Sequence, residues 1–151
     1  MRRAHAWGLV ALAVGSIALT GCEKPAPGIS LFTGPASVRS EALCWAFDSP
    51  QLSPGDCAQE ILDGSTTTGI QTIPALPGNT VGISVDPDVA EAGWNIVIGG
   101  QKVAPQPLTT NYFRFTLPLQ LGTQPLPIQV VAGADGAIRG VWIIALEPSQ
   151  A

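Results

Sequence analysis

The 151-residue sequence is poor in the side chains that most enzymes use for nucleophilic or metal chemistry. Its only histidine, His5, lies in an apolar N-terminal segment that has the form of a cleaved export signal. Without that residue the chain cannot build a Ser–His or Cys–His nucleophile pair, and its few thiols cannot complete a zinc site. We therefore expect no metal, no cofactor and no enzymatic activity. A pair of carboxylates is the one catalytic arrangement that the composition leaves open.

Positive charge is also scarce. Residues 22–151 contain five Lys and Arg against eleven Asp and Glu, a net charge of −6. An acidic surface repels the phosphates of nucleic acids. We therefore expect no nucleic-acid partner.

The N-terminal segment ends in Leu19-Thr20-Gly21-Cys22. Arg2 and Arg3 precede an uncharged apolar stretch, residues 7–19, which is too short to span a membrane comfortably. This order resembles the lipobox of bacterial lipoprotein precursors. The resemblance implies cleavage before Cys22 and acylation at Cys22 with chains such as palmitate. An ordinary secretory signal with a chance cysteine is the less favoured interpretation.

These features divide the chain into three parts. We expect a removed signal peptide at residues 1–21, a lipidated tether at 22–28 and a single domain at 29–148. The lipid on Cys22 would anchor the protein in the outer leaflet of the cell membrane, with the domain outside the cytoplasm. A tether of this length reaches only about 20 Å, so the domain would lie close to the membrane.

Lipidation of Cys22 would leave two thiols, Cys44 and Cys57, in an oxidising compartment. We predict a structural disulfide between them. The alternative is a redox-active pair, with Cys57 activated at the start of a helix. The spacing is not Cys-x-x-Cys, and Trp45 beside Cys44 indicates burial, so the structural role is favoured.

Apolar residues alternate with polar ones in several segments after Ile29, which predicts half-buried strands. Trp94, Ile96 and Ile98 share one face, and Gly99-Gly100 then predicts a hairpin turn. Residues 138–146 are apolar on both faces, as in a central strand. The protein is therefore predicted to be mainly β, an antiparallel β-sandwich. Any likeness to immunoglobulin domains is one of architecture, because the two cysteines are too close in sequence.

One short helix is predicted after residue 52. Ser53 suits the N-cap, Pro54 the first helical position and Asp56 a capping box, while Gly64 suits the end of the helix. Cys57 would then lie in the first turn, bonded to Cys44 on a strand covering residues 38–47.

Three segments of the chain, residues 22–25, 41–45 and 85–94, resemble a group of actinomycete membrane-anchored lipoproteins of unknown function. The Asp86–Trp94 signature is the most specific of them. The resemblance implies a membrane anchor and an outward-facing domain. It implies no activity.

Asp86, Asp88 and Glu91 form the one acidic cluster of interest. We expect Pro87 to end a strand there and the carboxylates to face water in a loop, which is a candidate recognition loop. Calcium binding is less favoured, because the order of ligands in an EF-hand is missing. Trp94 is predicted to belong to the core, since it shares a face with Ile96 and Ile98.

These observations favour a non-enzymatic binding or accessory module of the cell envelope, whose partners are the membrane and another envelope protein. The alternative is a small-ligand carrier or scavenger with a cavity between the sheets. An apolar cavity of about 300 Å³ or more would favour the carrier. A filled core with a flat exposed patch would favour the accessory module.

Overall fold

A computed structural model describes residues 24–149, which form two packed β-sheets and two short helices. The predicted signal peptide and the lipidation site Cys22 lie outside the described residues. The elements in chain order are β1 (Gly28–Thr33), β2 (Ala36–Glu41), β3 (Cys44–Trp45), α1 (Gln59–Leu62), β4 (Gln71–Ala75), β5 (Thr80–Val85), α2 (Pro87–Ala92), β6 (Trp94–Ile98), β7 (Gln101–Lys102), β8 (Tyr112–Thr116), β9 (Leu126–Ala132) and β10 (Gly140–Pro148).

The strands confirm the prediction of a mainly-β sandwich. One sheet has four antiparallel strands in the order β2-β1-β5-β8. The other has six, in the order β3-β10-β9-β6-β7, with β4 paired to the second half of β10. That last pair is parallel, the one departure from an antiparallel arrangement among the described strands.

The core lies between the sheets and is filled by large apolar side chains. Trp94, Ile96 and Ile144 have no exposed surface, which confirms the predicted place of Trp94. Residues 140–146 of β10 are all buried, as expected for a central strand. One polar side chain, Gln129, is buried outside the core, where its Nε2 donates to the carbonyl oxygens of Ile61 and Leu62 at 2.8 and 3.0 Å. These bonds satisfy carbonyl groups at the end of α1.

The predicted strand over residues 38–47 is wrong, because the chain changes sheets within it. The backbone N–H of Ala42 donates to the carbonyl of Pro27 beside the four-stranded sheet, at 3.2 Å. The next N–H, that of Leu43, donates to the carbonyl of Val141 in the six-stranded sheet, at 2.9 Å. Successive residues thus hydrogen-bond to opposite layers, which ends β2 and begins β3.

The predicted helix exists but begins later than expected. Asp56 does not cap a helix; its Oδ2 accepts the backbone N–H of Ser53 at 2.8 Å, and its own N–H donates to the Ser53 carbonyl at 3.1 Å. These bonds close a turn, so α1 starts at Gln59 and Cys57 lies outside it. Gly64, at φ +75°, follows the end of the helix as predicted.

The acidic segment after β5 was predicted as a loop, and this is wrong. Pro87 does end the strand, but it occupies the first turn of α2. Val89 and Ala90 of this helix are buried, and Gly93, at φ +74°, ends it. Burial of that apolar pair stabilises a helix that is too short to persist alone.

The disulfide between Cys44 and Cys57 is confirmed, with a Cα–Cα distance of 5.7 Å. Cys44 is buried at 8% exposure. Its neighbour Trp45 is only half-buried, with the Arg139 guanidinium 4.7 Å from its ring centre and the Trp142 ring 5.8 Å away. Gly140 lies directly against the Trp45 ring, where a β-carbon would collide with it.

Candidate functional site

The predicted acidic cluster contacts the predicted tether. Asp86 Oδ2 accepts the backbone N–H of Gly28 at 2.7 Å and a hydrogen bond from Arg39 Nη2 at 2.8 Å. In return, the backbone N–H of Asp86 donates to the carbonyl of Gly28 at 3.1 Å. Two residues later, Asp88 Oδ2 lies 2.6 Å from Lys24 Nζ. We call these five residues the tether contact.

The electrostatics of the tether contact favour a charged Asp86. Partial burial raises the pKa of this carboxyl, but the hydrogen bonds from Arg39 and from the Gly28 N–H lower it, and the net pKa lies below the usual value. The Asp88–Lys24 pair is more exposed, with 72% of the Lys24 side chain accessible, so it contributes little to stability.

The three predicted recognition residues therefore have different surroundings in the structure. Asp86 and Asp88 are engaged within the chain, while Glu91 lies exposed in the last turn of α2. The last tether residues are also part of the fold, because Pro27 and Gly28 are buried. A role in recognition remains a prediction for this segment, and the contacts observed are with the tether.

A second feature is a large cleft between the free edges of the two sheets. Its volume is about 660 Å³, and its residues come from the end of β8, the β6–β7 hairpin, the loop at 117–125 and the ends of β9 and β10. The apolar part of the wall is formed by Ile98, Val103, Phe115, Leu117, Leu121 and Leu126. We call this feature the edge cleft.

The edge cleft exists because no strand within residues 24–149 closes the sandwich on this side. β8 is the last strand of its sheet, and β7, the last strand of the other, has only two residues. The two edges make no ladder with each other. Phe115, Leu121 and Leu126 are consequently only partly buried, although they pack against the main core.

The polar residues of the edge cleft are mainly glutamines. Lys102 is the only charged residue among the described ones that line it, and its pairing with Val97 places its side chain on the face of the sheet opposite to Ile98. The amides of Gln101, Gln120 and Gln124 supply both N–H donors and carbonyl acceptors. Within residues 24–149, Lys102 forms no ion pair, whereas Lys24 and Arg39 are paired with aspartates. All of the described carboxylates lie outside this wall.

The outer face of the four-stranded sheet carries exposed aromatic side chains. Phe32 is 39% exposed and Tyr112 is 52% exposed. Tyr112 lies over Gly82, whose missing side chain leaves room for the ring. Arg114 is exposed and pairs with Gly82 in the ladder. Aromatic and arginine side chains are enriched in protein interfaces.

One buried polar atom has no partner in the described part of the chain. Asn95, on β6, is 7% exposed, and its Oδ1 accepts no hydrogen bond there. It lines a recess of about 230 Å³ together with Val97, Lys102 and residues 133–138. An unsatisfied buried carbonyl is costly, so this position is a target for mutation.

Between residues 24 and 149, no group of three or more His, Cys, Asp or Glu side chains is placed to hold a metal ion. Over the same range, no helix has the length and apolar character needed to cross a membrane.

Comparisons with protein-family models, with curated proteins and with solved structures found no significant match to this chain. The likeness to actinomycete lipoproteins therefore remains a prediction from the quoted segments. The functional assignment must rest on the geometry of the sites.

The sequence did not point to the edge cleft. Its residues are spread from Ile98 to Pro148, and no single segment has a binding motif. One signal was available: residues 117–126 contain four leucines, but also two prolines and a glycine, which disfavour a strand. Apolar residues in a segment of that kind must cover a sheet edge or line a surface cavity.

Proposed function

We propose that this protein is a non-enzymatic, membrane-anchored binding protein of the cell envelope, and that it takes a small apolar ligand in the edge cleft. The anchor is the lipid predicted on Cys22. The single observation that supports the ligand is the edge cleft itself, whose volume of about 660 Å³ and mostly apolar wall are typical of small-molecule sites.

The packing of the core supports a binding role for the edge cleft. Apolar residues of a β-sandwich normally pack in the core between the two sheets. Here that core is already filled by large side chains without exposed surface, among them Trp94, Trp142 and Ile144. Apart from the core residue Leu117, the apolar residues of the edge cleft lie around that core and remain partly accessible. A ligand there would cover surface that the fold leaves in contact with water.

The tether contact supports a defined orientation of the domain relative to the membrane. With Pro27 and Gly28 held on the domain, residues 22–26 would separate it from the bilayer, a reach of at most about 17 Å. β5 begins at Thr80, opposite the cleft residue Thr116, and ends at Val85, opposite Ile29 next to the tether. The edge cleft is thus about 17 Å from the tether end of the sheet and would open away from the membrane.

A second candidate function is that of an accessory subunit that binds another envelope protein. The observation in its favour is the exposed outer sheet face with Phe32, Tyr112 and Arg114. This face and the edge cleft lie on the two sides of β8, so one experiment can compare them.

In-cell photocrosslinking from β8 tests both proposals. A benzoyl-phenylalanine in place of Phe115 faces the edge cleft, and the same residue in place of Tyr112 faces the outer surface. We expect irradiation to add a small-molecule mass to the full-length protein only with the probe at 115. A protein adduct at 112 alone, with no small adduct at 115, would instead favour the accessory subunit.

A further inference from the structure

We propose that the outer face of the six-stranded sheet has a second binding site, which takes a free α-amino acid with an apolar side chain up to the size of leucine. The site is the recess of about 230 Å³ lined by Asn95, Lys102, Asp135 and apolar residues such as Val97 and Ile138. We call it the Asn95 recess. It lies on the opposite side of the sheet from the apolar wall of the edge cleft, so this inference goes beyond the proposed function.

The observation that carries the proposal is the side chain of Asn95. It alternates along β6 with the core residues Trp94 and Ile96, so it points to the outer face. It is 7% exposed, and its Oδ1 accepts no hydrogen bond from any described residue. Gln129, buried on the same face opposite Val97, has two carbonyl partners for its Nε2. The orphaned acceptor costs stability, and an N–H donor from a ligand in the recess would remove that cost.

Lys102 lies beside Asn95 on this face. It pairs with Val97, two residues along β6 from Asn95. Diagonal neighbours of this kind have their β-carbons about 7–8 Å apart, which is within reach of a long side chain. The Lys102 ammonium nevertheless forms no ion pair within residues 24–149 and does not donate to Asn95 Oδ1. The recess thus places an unpaired cation near an unpaired acceptor.

Asp135 adds a carboxylate to the same recess. The backbone N–H of Ala137 donates to the carbonyl of Ala134 at 3.0 Å, and the two residues between them have φ of +55° and +83°. These bonds and angles form a type I′ turn, with Asp135 at its tip. Asp135 is exposed and, like Lys102, has no ion pair in the described part of the chain. Two opposite charges therefore border one recess without binding each other.

These groups match the parts of an amino acid. Its ammonium would donate to Asn95 Oδ1 and to the Asp135 carboxylate, and its carboxylate would accept from Lys102 Nζ. Its side chain would lie against Val97 and Ile138. A ligand with a single charge would leave one of the two charged residues without a partner from the ligand. The volume limits the size, since at about 30 Å³ per water the recess holds only about seven waters.

The test is nitrogen-15 NMR spectroscopy of the full mature chain, residues 22–151, with Cys22→Ser so that no detergent is needed. Both sheets and the whole described core lie within it. We expect millimolar leucine to shift the side-chain amide signals of Asn95 and the backbone N–H signal of Asp135. The signals of the edge-cleft residues Phe115 and Leu121 should not move.

Two analogues of leucine separate the roles of its charged groups. The first, 4-methylpentanoate, lacks the ammonium and should bind about ten-fold or more weakly, because the buried acceptor loses its charged donor. The second, 3-methylbutylamine, lacks the carboxylate and should bind about two- to five-fold more weakly, as for loss of an exposed ion pair.

Variants assign the binding to the Asn95 recess. Asn95→Val should weaken leucine binding by about ten-fold or more, although it should stabilise the ligand-free protein. Lys102→Gln and Asp135→Asn should each weaken it about two- to five-fold, and asparagine tolerates the positive φ at 135. The matched controls Asn79→Val and Arg114→Gln should bind leucine like wild type. If Asn95→Val misfolds, the double variant of Lys102→Gln with Asp135→Asn replaces it.

The outcomes distinguish this site from the edge cleft. Spectra that do not change with alanine, valine or leucine would overturn the inference and assign Asn95 Oδ1 to solvent. Equal binding of leucine and either analogue would overturn recognition of a zwitterion. Leucine binding that ignores Asn95→Val would overturn the site. Shifts confined to Phe115 and Leu121 would also overturn it, but would support the edge cleft as the ligand site.

Discussion

The indole Nε1 of Trp142 donates a hydrogen bond to the carbonyl oxygen of Pro27, 3.0 Å away and 115 positions earlier in the chain. The same oxygen accepts the backbone N–H of Ala42 at 3.2 Å. The central strand of the six-stranded sheet is thereby joined to the last part of the predicted tether. The fold and the attachment of the tether thus depend on each other.

Trp142→Phe removes this bond while keeping an aromatic ring. We expect a loss of about 2 kcal/mol in the free energy of unfolding, because a buried carbonyl loses a partner and the smaller ring leaves space. Trp94→Phe is the control, since it removes an indole bond to Thr110 in another part of the fold. Hydrogen exchange at Gly28 and Ala42 should accelerate in the first variant only; equal acceleration in both would contradict the link.

Asp86→Asn should lower stability at neutral pH by about 1 kcal/mol, since the lost bonds involve a partly exposed charge. The pKa of Asp86 is lowered in the fold, so its contribution is complete above about pH 4 and disappears as the pH falls through the folded pKa. The melting curves of wild type and variant should therefore converge in acid. Asp88→Asn is the matched control and should have little effect. A gap between wild type and Asp86→Asn that is the same at every pH would exclude an electrostatic origin.

Replacing both Cys44 and Cys57 by serine should lower the free energy of unfolding by about 3 kcal/mol, the value that chain entropy assigns to a loop of this length. Urea unfolding followed by tryptophan fluorescence measures it. Cys57 precedes the N-cap Ala58 and is not in the first turn of α1, where the redox alternative would place it. Rapid reduction of the native protein by a mild thiol would restore the redox alternative.

Asn95→Val should stabilise the protein by about 1 kcal/mol. The change removes a buried carbonyl that lacks a partner in the described structure, and valine suits a buried strand. The comparison variant is Asn79→Val, in the turn before β5. Asn79 has no buried side-chain atom that lacks a hydrogen-bond partner, so this change should not stabilise the protein. Destabilisation by Asn95→Val would mean that Asn95 has a partner from outside the described chain.

Cys22→Ala should leave a precursor that is neither acylated nor cleaved before position 22. The reason is the lipobox, since the peptidase and the acyl transfer both require the cysteine. Detergent phase partitioning with intact-mass analysis compares the two proteins, and wild type should enter the detergent phase because each buried CH₂ contributes about 0.8 kcal/mol. An unmodified mature wild-type protein in the aqueous phase would refute the anchor.

The sequence by itself determined the features that depend on local periodicity and composition. The alternation at Trp94, Ile96 and Ile98 predicted a strand that faces the core, and β6 lies there with Trp94 and Ile96 fully buried. The glycine pair after it predicted the turn, and two remaining thiols predicted their bond. These predictions succeed because burial of one strand face and pairing of two thiols need no knowledge of distant residues.

Only the tertiary structure decided the features that join distant segments. The chain crosses between sheets at Ala42 and Leu43 because each N–H finds a carbonyl in a different layer. Asp86 binds Gly28, 58 positions away, so the acidic segment contacts the tether. The edge cleft forms beside β8 and β7, the outermost strands of the two sheets, which do not pair with each other. Strand register, layer and long-range hydrogen bonds are set by packing of the whole chain, which local patterns do not encode.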